Sequence, residues 1–245
     1  MHPTPQRARV SANLVFFTYG LLIGSYLPYF PFLKDRFGIG EGVFSLGLLA
    51  AAAGALISMP LAPLVMRWIG SRKAILCSSL IYLTVVAFAI SAPTFVVFVI
   101  LFFCLGLTIS SWEVAANSQA SVIEDKLNKP IISSVHGFWS LGTFVGSWSM
   151  ARWLDADLNG LWLIYGLIVM GAIAQYFVYQ GLLRRDQIAA ESTTDRPNIK
   201  LKYLLYPPLI IVAFYQIVGF MLEGSFQDWG AFLIREIYLG PDLAI

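Results

Sequence analysis

Glu113 and Asn117 stand four residues apart in the last turns of an apolar helix within Leu105–Gly146, ahead of a short charged loop (Glu124, Asp125, Lys126, Lys129), and that spacing puts them on one helical face. A carboxylate so placed can accept two hydroxyl groups in charge-assisted hydrogen bonds, or can carry a proton. Asn117 adds a donor and an acceptor one turn on. His136 follows in the next apolar run and is either a proton-relay partner or a contact near the helix end. Trp112 and Trp139 flank this region and are either aromatic platforms for a ring-shaped solute or residues of the interfacial belt or of helix packing. Further on, Gln216, Phe220, Glu223 and Gln227 share a helical face, with Asp228 beside them. This chemistry is that of binding a polar molecule or moving a proton inside a membrane. It is not metal or thiol chemistry: the only histidines are His2 and His136, no CxxC or HExxH spacing occurs, and no cofactor motif is found. Cys77 and Cys104 both fall in apolar runs, which argues against a disulfide framework.

The elements that position these groups are membrane helices. Of 245 residues 58% are hydrophobic and 12% charged, against about 25% charged in a soluble domain. A net charge of +2 gives no reason to expect nucleic acid. Stretches free of Asp, Glu, Lys and Arg and near the twenty residues needed to cross a bilayer run over 10–33, 42–66, 74–112, 130–151 and 158–183. The third is too long for one helix and is divided by Ser91-Ala92-Pro93-Thr94. A seventh helix is predicted from Tyr203 to about Ile234. Pro60 and Pro63 should bend or end the second helix, whose small residues (Gly47, Ala50 to Gly54, Ser58) suit close packing, as do Gly142 and Gly146 in the fifth. The domain reading is a six-helix bundle over 1–183, a charged linker over 184–202, and the seventh helix over 203–245. With the N-terminus inside, twelve of the sixteen Lys and Arg lie in inner segments and four (Lys34, Arg36, Arg152, Arg235) in outer ones. That bias predicts a cytoplasmic N-terminus and a periplasmic C-terminus in a cell inner membrane. The first apolar run lacks a small-residue cleavage site and reads as an uncleaved span.

Six helices, a charged linker and a seventh helix resemble the first half of a major facilitator superfamily transporter. The loop Arg67-Trp68-Ile69-Gly70-Ser71-Arg72-Lys73 is similar to that family's signature between helices two and three, with Arg67 where an acid is usual. The resemblance makes Arg67, Gly70, Arg72 and Lys73 the candidate gating loop. Glu113-Val114-Ala115-Ala116-Asn117 resembles the ETAAN-type segment in helix four of fucose-permease-like sugar:proton symporters. Lys129-Pro130 through Leu141-Gly142, and Glu223 to Trp229, resemble uncharacterised bacterial relatives of that branch. Two further departures are the absence of any acid from helix one, where Gly24 and Ser25 stand, and of proline after Gly146.

The resemblance implies an all-α membrane protein whose six-helix bundle is built from inverted three-plus-three repeats. The chain then reads as the N-terminal half of a twelve-helix protein plus one helix, with a C-terminal half or a second copy as its partner. It also implies secondary transport of a small polar solute, such as a sugar, by alternating access, with protons as the coupling ion. The implied solute-binding set is Glu113, Asn117, Glu223, Gln216, Trp112 and Trp139, with His136 and Glu113 as proton relay. A truncated product without transport of its own is one competing reading. An intramembrane enzyme is another, although no nucleophile–base spacing supports it.

Overall fold

The computed structural model describes residues 3–189 and 206–238. His2 and most of the predicted 184–202 linker lie outside the described residues, as does the predicted start of helix seven at Tyr203. The chain divides into two compact units, Met1–Glu191 and Ser192–Ile245. The described residues are helical throughout both units, with no strand among them.

In the first unit, Thr4 accepts a hydrogen bond from the Arg7 amide and Pro5 opens α1 (Pro5–Tyr26), a standard helix start. Pro28 and Pro31 then convert the path into a single 3-10 turn and a short α2 (Phe30–Phe37), which stops at Gly38 with φ +64°. The first span therefore runs from Pro5 to Phe37, beyond the predicted 10–33. The predicted second helix is two helices, α3 (Glu41–Ser58) and α4 (Ala62–Ile69). Pro60 lies in the break, and Pro63 sits in the first turn of α4, where its missing donor costs nothing.

After α5 (Ser71–Ile90), the turn at 91–94 falls where expected, and the Thr94 hydroxyl caps the Val97 amide at the start of α6. The fourth helix needs the largest correction. α6 runs from Phe95 to Leu127, 33 residues, past the last turns expected at Glu113 and Asn117 and through most of the expected charged loop. Its charged end, Glu124 to Lys126, is helix and not loop. Glutamate and asparagine do not stop a helix. It continues to Asn128, which adopts φ +48°, two residues before Pro130. The Glu124 carboxylate then accepts the Ile131 and Ile132 amides, at 2.7 and 3.1 Å, capping the dipole of α7 (Ile132–Asp155). The sixth span is α8 (Gly160–Gly181), with Asn159 as its cap. A short α9 (Arg185–Ala189) follows.

Among the described residues six helices are both long and apolar enough to cross a membrane: those containing α1, α3, α5, α6 and α8, and one in the second unit. α7 has the length, 24 residues, but its serines, Thr143 and His136 make it more polar than the rest. It packs along α1 more extensively than any other helix pair in the chain. Glycine allows that approach. A methyl group at Gly20 or Gly24 would overlap the carbonyls of Trp139 and Thr143, and one at Gly142 or Gly146 those of Phe17 and Leu21. Ser147 Oγ also donates to the Gly24 carbonyl at 3.0 Å.

The second most extensive pair, α3 with α6, is built the same way. Gly54 lies on the Phe103 carbonyl and Gly106 on that of Ala51. Ser58 Oγ reaches the Leu107 carbonyl and Ser111 Oγ, both at 2.6 Å. Exchanging span one with four, two with five and three with six turns the α1–α7 pair into α6–α3. It likewise turns α5–α6 into α8–α1, which also pack together, and maps the α5–α8 contact onto itself. This is the pairing that inverted three-plus-three repeats require. No ungapped alignment of the two halves reveals it.

In the second unit α10 (Pro207–Leu233) starts on two prolines and continues into a π-helical turn, Ile234–Tyr238.

Candidate functional site

The site grows from a column of aromatic rings. α5 is 20 residues long, about 30 Å and so about one bilayer core, and Tyr82 lies near its middle. The Tyr19 ring of α1 lies 4.6 Å from that of Tyr82, and Trp112 of α6 stacks on Tyr19 at 3.9 Å with 10° between planes. Phe16 meets Trp112 edge-on at 5.2 Å and meets the His136 ring at the same distance on another side. Trp112 is therefore buried against α1, beside the ring that meets the middle of α5. Glu113 follows it on α6.

Glu113 is not covered by the first unit, whereas Ala115 and Ala116 on the same helix are buried. The accessible side of α6 at this level therefore carries the carboxylate. His136, also accessible, meets the Phe16 ring that Trp112 meets. His136 is thus a neighbour of the Phe16–Trp112 pair and not a helix-end contact alone. Asn117 behaves differently from expectation. Its Nδ2 donates to the Glu113 backbone carbonyl at 3.0 Å, so one of its donors is engaged within the helix and its acceptor oxygen remains. Trp139 is half-buried on α7, and its carbonyl takes part in the glycine contact with α1 and accepts from Thr143 Oγ1 at 3.1 Å.

The sequence reading missed Asn13 and weighed Trp112 for its ring alone, not for its N–H. The Trp112 Nε1 donor and the Asn13 Oδ1 acceptor are buried without a protein partner. The α1–α7 register, which sets Phe17 against Gly142, carries Asn13 to the first turns of α7, the level of His136. Asn13 is the only amide side chain in 10–33, so a search for amides as well as charges would have marked it.

At the end of the first unit toward the linker, the candidate gating loop is latched inside the unit. Gly70 turns the chain at φ +80°, ψ 152°, a conformation that suits glycine alone. Arg72 Nε donates to the Tyr179 carbonyl at 2.6 Å, and its guanidinium lies 4.0 Å from that ring's centre. Arg185 donates to the Arg67 carbonyl at 2.7 Å. Fully buried Gln119 clamps Leu183 through both its amide hydrogen and its carbonyl, at 3.1 and 3.0 Å, and also donates to Ser71 Oγ at 3.1 Å. The side chains of Arg67 and Lys73 are exposed.

In the second unit, Gln227 Nε2 donates to Glu223 Oε1 at 2.9 Å, and Gln216 and Glu223 are uncovered by their own unit. These residues form a polar stripe on α10. No cluster of three or more His, Cys, Asp or Glu able to hold a metal occurs among the described residues.

The sequence is 27% identical over 231 residues to an uncharacterised MFS-type transporter of Yersinia pestis, covering 94% of this chain and 58% of that one. It is 24% identical over 226 residues to an uncharacterised transporter of Sinorhizobium fredii, covering 91% of this chain and 58% of the relative. A 131-residue part, 54% of the chain, is 28% identical to the membrane protein MosC of Rhizobium meliloti, 32% of whose length it covers. The chain thus spans 58% of the length of the first two relatives. No solved structure matches it. The profile of the Major Facilitator Superfamily matches residues 12–240, nearly the whole sequence. With its paired glycine-packed helices and its inverted repeats, this multi-pass membrane chain belongs to the major facilitator superfamily.

Proposed function

We propose that this chain supplies the N-terminal portion of a secondary transporter for a small, hydroxyl-bearing solute of the sugar type, moved by alternating access across a cell inner membrane. The observation that carries the reading is Glu113: an accessible carboxylate in a membrane-spanning helix, next in sequence to Trp112, which stacks on Tyr19 and meets the same Phe16 ring as His136. A carboxylate in hydrocarbon is expensive and marks a polar pathway. The solute's hydroxyls donate to Glu113, and the Asn117 carbonyl oxygen accepts a further one. The uncompensated polar atoms of Asn13 and Trp112 offer an acceptor and a donor. The coupling proton resides on the Glu113–His136 pair. Glu223 and Gln216 supply the polar face contributed by helix seven. The relatives' names, both transporters, support the class of activity. The Lys and Arg bias supports an N-terminus inside.

The test is uptake into proteoliposomes that hold the chain together with the C-terminal portion of its Yersinia relative, assayed with a panel of sugars and polyols under an imposed pH gradient. Glu113→Ala leaves solute donors unpaired, worth about 1–3 kcal/mol, and should weaken half-saturation about 5- to 150-fold. Glu113→Gln should abolish pH-driven uptake while sparing solute exchange. If both variants take up solute as the unaltered pair does, the assignment is wrong.

A further inference from the structure

Away from Glu113, a small cavity opens between α1, α5 and α8, lined by Thr18, Tyr19, Ser79, Tyr82, Gly171 and Gln175 together with two leucines. Every polar group here lies in a helix long and apolar enough to cross the bilayer, so an unmade hydrogen bond has no bulk water to fall back on. The hydroxyls of Tyr19 and Ser79, on residues 7% and 3% exposed, are buried and meet no protein partner. The Gln175 side chain, on a residue 5% exposed, reaches the same space from α8. Thr18 Oγ1 donates instead to the Leu14 carbonyl of its own helix at 2.8 Å. Tyr82 donates only a long bond, 3.4 Å, to the Tyr26 hydroxyl.

We infer that this cavity binds one water molecule, held by Tyr19, Ser79 and Gln175, that ties α1, α5 and α8 together behind the Trp112 stack. Size and chemistry both point to water. About 10 Å3 is open to the centre of a water molecule, which is room for one and no more. Two hydroxyls and a carboxamide supply three hydrogen-bonding groups, within the two to four that a buried water uses. A hard divalent cation would ask for six to eight oxygens and a compensating charge, and no lining residue is acidic. The consequence is positional. The water fixes the hydroxyl end of Tyr19, and the face of the same ring carries Trp112.

The experiment is thermal unfolding of the purified full chain carrying Tyr19→Phe, Ser79→Ala, or both. If the two hydroxyls share one water, each single change lowers Tm by about 2–4 °C, and the double variant falls by less than the sum, because the water is lost once. If the cavity is dry, deleting a partnerless hydroxyl relieves a cost, so each variant melts at or above the parent. That result overturns the inference, as does full additivity. Radiolytic footprinting of the unaltered chain in 18O-enriched water gives a readout independent of folding. Incorporation of label at Tyr19 or Tyr82, despite their burial, supports the site, and its absence at both sinks it.

Discussion

Gly106→Ala tests the packing that carries the bundle. A methyl at Gly106 would be driven into the carbonyl group of Ala51 and would also crowd the Ala55 amide, all of it backbone of α3. No side chain there can rotate away, so α3 and α6 must separate or shift. A radial gap of about 0.5–1 Å forfeits a quarter to a half of each dispersion contact along the pair. It also stretches the two 2.6 Å bonds from Ser58 to Leu107 and Ser111, each worth about 0.6–1.7 kcal/mol between membrane helices. Together these give a loss of about 2–4 kcal/mol, or a Tm lower by about 5–15 °C for a domain of this size. The pseudo-symmetric change Gly142→Ala, against the Phe17 carbonyl of α1, should cost a similar amount. Gly137→Ala and Gly166→Ala are the controls. Both are helical with nothing within 4 Å of the added methyl, so each should be neutral or stabilising by up to about 1 kcal/mol. The assay is thermal unfolding in detergent, followed by tryptophan fluorescence and by recovery of monodisperse protein on size exclusion. If Gly106→Ala melts with the parent while the controls behave as expected, backbone-to-backbone contact is not what holds these helices.

Arg72→Lys keeps the charge but loses the Nε bond to Tyr179 and the flat stacking face, so limited proteolysis should cut the loop around Gly70 severalfold faster. Glu124→Ala removes the cap on two amides at the start of α7 and should lower Tm by about 2–4 °C, an effect that Glu124→Gln recovers in part. For topology, a cysteine introduced at Asp157 should react with an impermeant thiol reagent added to intact cells, and one at Asp186 should not. The reverse pattern would overturn the orientation read from the Lys and Arg bias.

The sequence alone determined that this is a membrane protein, roughly where its helices run, and which ones carry polar groups. Apolar length and scarcity of charge are local properties, and the bilayer turns them directly into spans. Turns marked by Pro60, Thr94 and Pro130 were legible for the same reason, since each acts on its own backbone. The end of the fourth helix was misread because charge was taken as a boundary, whereas only backbone preference at Asn128 and Pro130 ends it. Which rings meet was decided by tertiary structure: the stack of Trp112 on Tyr19, and of Tyr19 against Tyr82, sets Trp112 beside the ring at the middle of α5. The inverted repeat was equally hidden. It resides in which backbones touch through Gly20, Gly24, Gly142 and Gly146 and through Gly54 and Gly106, and contact between distant segments leaves no periodic mark in one sequence. Asn13 became a candidate, and the Trp112 indole N–H a candidate donor, only when folding buried their polar atoms without partners, because burial and pairing are properties of neighbours in space.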